Sequence, residues 1–138
     1  MRLHHVGVRV RNTEAMRHFY ITVIGLKPHP EKDNWLGWEG GGYPVHLMAG
    51  TELSADGRDH TDLARHFAIE VKSLREVAKM LLSHGLRPFQ SGLEVKEQRD
   101  VTADGDLSYG IGTIFVDDPD GNIVEFIQAG QGIYGKYL

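Results

Sequence analysis

No cysteine occurs among the 138 residues. Disulfides, iron-sulfur clusters and thiolate zinc sites are therefore excluded, and any metal must rest on imidazole and carboxylate. Long apolar runs are missing too. The ~18 or more consecutive apolar residues of a membrane-spanning helix occur nowhere, and the opening MRLHHVGVRV lacks an apolar stretch of signal-peptide length. These absences point to a cytoplasmic protein with no membrane partner. Basic clusters are also lacking: the formal net charge is −4, and Lys and Arg stand singly among acids. A nucleic-acid footprint is thereby excluded, leaving a small molecule as the expected partner. At this length the chain, residues 1–138, reads as one domain, large enough to bury roughly two-thirds of its unfolded surface.

What is present is a repeat. His5-Val-Gly-Val-Arg-Val10 alternates like a half-buried strand, with Val6, Val8 and Val10 on one face and His5, Gly7 and Arg9 on the other; His66-Phe-Ala-Ile-Glu-Val71 does the same. After the first strand, Asn12 or Thr13 is placed to cap a helix whose apolar positions Met16, Phe19, Tyr20 and Val23 share one face, and Gly25 ends it. After the second, Ser73 and Glu76 read as a capping box, Leu74, Val77, Ala78, Leu81 and Leu82 form the stripe, and Gly85 ends it. The histidine-to-glycine separation is 20 residues in the first copy and 19 in the second. Chance is a poor explanation for such a match.

Short strands are predicted to follow each helix, around Trp35 to Glu39 and Tyr43 to Ala49 in the first copy. In the second they fall around Leu93 to Gln98, Thr113 to Val116 and Asn122 to Gln128. Asp117-Asp-Pro-Asp-Gly-Asn122 carries hairpin chemistry, Pro119 fixing φ and Gly121 supplying a positive one. The first module spans about 1–50 and the second about 64–129, with Gly50 to Asp62 as a linker and Lys96 to Gly112 as a mobile, lid-like loop. The apolar tail 130–138, with Ile133, Tyr134, Tyr137 and Leu138, is expected to pack on the body or on a neighbouring subunit.

The repeat also pairs polar residues. His5 matches His66, and His46 in Tyr43-Pro-Val-His46 matches Glu125 in Asn122-Ile-Val-Glu125. Four coordinating side chains converge on one point if the modules face each other about a pseudo-twofold axis. Glu125 lies among Ile123, Val124, Phe126 and Ile127, where an uncompensated carboxylate is costly to bury and a cation is the natural remedy. His4, His18, His29, His60 and His84 have no such placement and read as surface or hydrogen-bonded histidines. Metal identity stays open among zinc, nickel, manganese and iron.

Leu3-His-His-Val-Gly, Phe19-Tyr20 running to Ile24-Gly25-Leu26, Arg65-His66-Phe67 and Phe115-Val-Asp-Asp-Pro-Asp-Gly-Asn-Ile-Val-Glu125 together resemble the vicinal oxygen chelate superfamily, which includes glyoxalase I, extradiol dioxygenases and bleomycin-binding proteins. The resemblance implies an α+β fold of two paired βαβββ modules. They would form a curved, partly open, barrel-like mixed sheet with the helices outside, in chains that are often homodimers sharing sites. It implies His5, His66 and Glu125 as ligands of one divalent metal, with His46 at the position where glyoxalase I carries Glu and the epimerases Gln. Arg9 resembles a substrate-carboxylate contact. The activity implied is a metal-dependent lyase or isomerase that chelates two neighbouring oxygens of a small carbonyl or hydroxy-acid substrate, with Glu125 or Glu70 as general base. An Fe(II)-dependent dioxygenase and a non-catalytic binding or resistance protein are the alternatives. Extradiol enzymes carry a Tyr where Phe115 stands, and no His lies between Gly85 and Glu125.

Overall fold

Valines at alternate positions make β1 (Val6–Val10) a strand with one buried edge of side chains: Val8 and Val10 are buried while Gly7 and Arg9 are exposed. A computed structural model describes residues 4–49, 66–92 and 97–131 of the chain. The Gly50 to Asp62 linker, residues 93–96 of the predicted Leu93–Gln98 strand, and the tail residues Ile133, Tyr134, Tyr137 and Leu138 lie outside them. Inter-residue contacts divide the chain into two compact units, Met1–Asp62 with Asp118–Asn122, and Leu63–Asp117 with Ile123–Leu138.

In the first unit Asn12 caps α1 (Thr13–Arg17), its side-chain oxygen accepting from Ala15 N at 3.0 Å. The α-helix then gives way to a π-helical turn over His18–Val23, closed by Ile24 N to Phe19 O at 2.9 Å. The 3.6-residue spacing correctly marks Met16, Phe19, Tyr20 and Val23 as the buried face but does not reveal the change of winding. Two causes are visible. Ile21, Thr22, Val23 and Ile24 are β-branched and lose side-chain freedom in an α-helix. Tyr20 is fully buried and donates from its hydroxyl to Asp118 Oδ2 at 2.8 Å, a tertiary bond that fixes its direction. Gly25 follows at φ 90°. The strands β2 (Lys27–Pro28), β3 (Trp35–Trp38) and β4 (Gly42–Ala49) complete a sheet in the order β1-β4-β3-β2, with β1 parallel to β4 and the other pairs antiparallel.

The second unit repeats the plan. β5 (His66–Val71) leads to α2 (Leu74–Ser83), capped by Ser73 Oγ accepting from Glu76 N at 3.3 Å and left through Gly85 at φ 75°. Then come β6 (Phe89–Ser91), β7 (Gln98–Asp100), β8 (Thr113–Asp117) and β9 (Ile123–Gln128), in the order β5-β9-β8-β6-β7. Again the first strand is parallel to the last, β5 to β9, and the rest are antiparallel. β7 is an added edge strand, and α2 packs on β8 and β9. The architecture is α+β with two mixed sheets. Sequence patterning missed β2 and β6, which are short and follow directly on each glycine exit. The core is correspondingly double: Val8, Val10, Met16, Phe19, Tyr20, Leu26, Leu36, Val45 and Leu47 in one unit, and Ile69, Leu74, Ala78, Leu81, Ile114, Val116, Val124 and Phe126 in the other.

The Asp117–Asn122 turn is the predicted hairpin. Asp118 is buried, accepting from the backbone N–H groups of Asp120 (2.9 Å) and Asn122 (2.8 Å), from Asn122 Nδ2 (2.8 Å) and from Tyr20. Asp120 Oδ2 takes the N–H groups of Arg11 and Asn12, and Asn122 Nδ2 also reaches Arg9 O. These bonds make residues 118–122 part of the first unit.

The loop predicted to be a mobile lid carries a set of side-chain bonds over its described part. Arg75 on α2 donates to Ala103 O (2.9 Å) and Gly105 O (2.6 Å), Gln90 Nε2 to Leu107 O, and Tyr109 OH to Glu97 O, while Arg99 lies 3.8 Å over the Tyr109 ring. Among the described residues no helix is long and apolar enough to cross a membrane.

Candidate metal centre

The sheet register puts the repeat-related polar residues at equivalent places. In the first unit Gly7, two residues after His5, pairs with His46 across β1 and β4. In the second, Ala68, two residues after His66, pairs with Glu125 across β5 and β9. Paired residues in a sheet share a face and residues two apart in a strand share it too, so each unit presents two candidate ligands on one face around a small residue. The neighbouring strand adds an aromatic in each case: Trp35 pairs with His46, and Phe115 with Glu125. Both aromatics meet the strand histidine edge-on, Trp35 at 4.8 Å from the His5 ring and Phe115 at 5.8 Å from the His66 ring.

The second unit's pair is in direct contact, His66 Nε2 lying 2.8 Å from Glu125 Oε2. Glu125 is 9% exposed, on the same face as the apolar cluster of Phe89, Phe115 and Ile123. Burial pushes its carboxyl above the usual glutamate range, partly offset by the charge of His66 and the hydrogen bond to it. A carboxylate kept in apolar surroundings at such a cost, with one imidazole beside it, has the chemistry of a cation ligand.

In the first unit the His5 and His46 rings are 6.1 Å apart. The Nδ1 atoms of His4 and His5 are 2.8 Å apart, so one ring donates to the other there. That leaves Nε2 of His5 as the nitrogen able to coordinate, with His4 as its orienting partner. His46 is stacked on Trp35, centroids 4.1 Å apart and planes inclined by 12°, and its Nε2 is 3.0 Å from Asn34 Nδ2. His4, expected as a surface or hydrogen-bonded histidine, is exposed and bonded to His5, while the residue pattern assigns no role to Asn34 and places Trp35 only in a strand. The doublet His4-His5 was the one available signal.

Arg9 and Glu70 are the repeat equivalents one step further on, opposite Met48 and Ile127. Both are exposed. Each stands four residues beyond its strand histidine, about 13 Å along the strand. Among the described residues no group of three or more His, Asp or Glu side chains comes together; each unit supplies one pair. Neutral imidazole and carboxylate suit zinc, nickel, manganese or iron alike, so the donor set fits a divalent ion without naming it.

Solved structures of similar fold include a trypanothione-dependent glyoxalase I from Leishmania major, 21% identical, covering 93% of this chain and 86% of that one at a TM-score of 0.62. A glyoxalase/dioxygenase from Nostoc punctiforme is 17% identical, covering 92% and 90% at 0.66. The antibiotic-binding protein TnmS3 from a Streptomyces species is 16% identical, covering 93% and 95% at 0.55. No curated protein sequence matches the chain. A family model matches residues 2–126 of the 138, and the paired βαβββ sheets agree with it. The chain thus belongs to the Glyoxalase/Bleomycin resistance protein/Dioxygenase superfamily, the vicinal oxygen chelate proteins.

Proposed function

We propose that the protein is a divalent-metal-dependent lyase or isomerase of the glyoxalase-like type, acting on a small carbonyl or hydroxy-acid substrate. The observation that carries this reading is the matching register of His5 with His46 and of His66 with Glu125, together with the burial of Glu125. His5, His66 and Glu125 would hold the ion, with His46 at the remaining repeat-related place. A bound divalent cation supplies Lewis-acid stabilisation of the negative charge that develops on two neighbouring substrate oxygens, as in an enediolate.

The chain's own groups supply the rest. Glu125, moving off the ion, is one candidate general base, and Glu70, about 13 Å along the strand from His66, is the other. Arg9 offers an exposed cation for a substrate carboxylate at the far end of β1. A homodimer and a cytoplasmic setting belong to the same proposal. A second reading, an Fe(II)-dependent dioxygenase, is favoured by the Asn34 contact on His46, because His5, His66 and Glu125 alone make a two-histidine, one-carboxylate set suited to iron.

Elemental mass spectrometry on protein purified without a polyhistidine tag tests this. About one tightly held divalent ion per chain, lost in Glu125→Ala, is expected. Zinc or nickel then directs assays to isomerase and lyase chemistry, and iron to oxygen uptake. A chain that takes up none of these ions after incubation with each would overturn the catalytic reading and leave a binding protein.

A further inference from the structure

His46 is held by two independent contacts that bear on what it can do. Asn34 precedes β3 and is tied to β4 through its backbone, its carbonyl accepting from Leu47 N at 2.8 Å. Its side-chain Nδ2 donates to Leu47 O at 3.3 Å and lies 3.0 Å from His46 Nε2. Contact with the Leu47 carbonyl, an acceptor only, fixes which end of the amide is the NH2 group. The second N–H then points at His46 Nε2, which must accept. A neutral imidazole that accepts at Nε2 carries its proton on Nδ1. Stacking on Trp35 at 4.1 Å and 12° fixes the ring plane, so swinging the ring to free Nε2 would forfeit both the hydrogen bond and the stack. His5 differs: its Nδ1 is engaged by His4, and among the described residues no such donor is found against its Nε2.

We infer that Asn34 and Trp35 hold His46 as a fixed Nδ1–H donor for an acceptor oxygen of the substrate, and so outside the ligand set proposed above. The part concerning the ion rests on the metal-dependent reading above; the part concerning the tautomer stands apart from it. A carboxylate at this place would add a ligand and a negative charge. An imidazole N–H adds neither and selects instead for a carbonyl or hydroxyl oxygen that accepts. Three protein ligands also leave more of an ion's positions to substrate than four do.

Long-range 1H–15N correlation spectra of the metal-free protein, at a pH where imidazoles are neutral, read the tautomer directly. His46 is expected as the Nδ1–H form, the minor one in free histidine, and Asn34→Ala is expected to move it toward Nε2–H. An Nε2–H His46 in the native chain overturns the inference. On titration with Zn2+, the coordination shifts should appear at His5 and His66 and leave His46 unchanged. His46→Ala should bind Zn2+ within about threefold of the native chain, whereas Glu125→Ala should lose at least about tenfold, the smaller end of what even an outer-shell change costs. A coordination shift at His46, or a loss in His46→Ala matching that in Glu125→Ala, overturns it. Failure of the native chain to bind Zn2+ or any other divalent ion overturns the metal-dependent reading and the ligand half of this inference together, a result distinct from a wrong tautomer.

Discussion

Glu125 shows how a single residue can be read twice. Its sequence neighbours marked it as a carboxylate in an apolar strand, and the fold adds His66 at 2.8 Å and a carboxyl raised by burial. Because the folded chain holds this proton more tightly than the unfolded chain, the group favours folding below the usual glutamate range, and that contribution is lost as pH rises through the raised value. Glu125→Gln keeps an acceptor for His66 and removes the charge. Without metal it should therefore melt above the native protein at neutral pH, with the gap closing as pH falls toward 4; parallel melting curves across that range would refute the argument. Tyr20 makes the opposite case. Tyr20→Phe removes a buried hydrogen bond to the Asp118 carboxylate and should cost about 1.5–3 kcal/mol in urea unfolding. Sequence periodicity placed Tyr20 in the core but gave no sign of its partner, which is 98 residues away.

Among the elements, β3 and β4 matter most for the site, since their register sets Trp35 and Asn34 against His46. That register contains an irregularity between Leu36 and Trp38, and Gly37 is the reason it can form. A Cβ at Gly37 would collide with the Gly42 carbonyl. Gly37→Ala should therefore separate the two strands and quench the Trp35–His46 stack, visible as a change in tryptophan fluorescence. Gly85→Ala meets no atom within 4 Å and should cost only the left-handed backbone penalty of about 1–2 kcal/mol. The bonded loop makes its own prediction. Arg75→Ala frees two carbonyls and should speed hydrogen exchange at Val101 and Gly105 by about tenfold or more, taking about 1.5 kcal/mol or more for a charged hydrogen bond; unchanged exchange would mean the loop holds itself. The polar, turn-rich composition of this stretch suggests mobility; composition does not register long-range bonds from a helix side chain to loop carbonyls.

At the scale of the molecule, among the described residues each half buries one carboxylate, and the two differ in what satisfies it: Asp118 in the first takes hydrogen bonds from Tyr20 and from its own turn, whereas Glu125 in the second has His66 beside it. Any ion that binds the folded chain alone stabilises it by mass action, about 2.7 kcal/mol at a hundred times Kd. Melting temperature should therefore rise with added divalent ion and fall back with chelator, and Glu125→Ala should abolish that response. A native chain whose melting temperature ignores every candidate ion would argue against a resident metal.

The sequence by itself determined the repeat, the strand faces, the helix caps, the glycine exits, the Asp117–Asn122 turn and the identity of the repeat-related ligand candidates. All of these follow from local propensity and from residues whose spacing recurs. The tertiary structure decided the π-helical turn, the short strands β2 and β6, the added strand β7, the docking of Asp118 on Tyr20 and the hold of Asn34 on His46. Each depends on which strand or loop comes to lie beside which, and side chains separated by tens of residues choose their partners only once the sheets have paired.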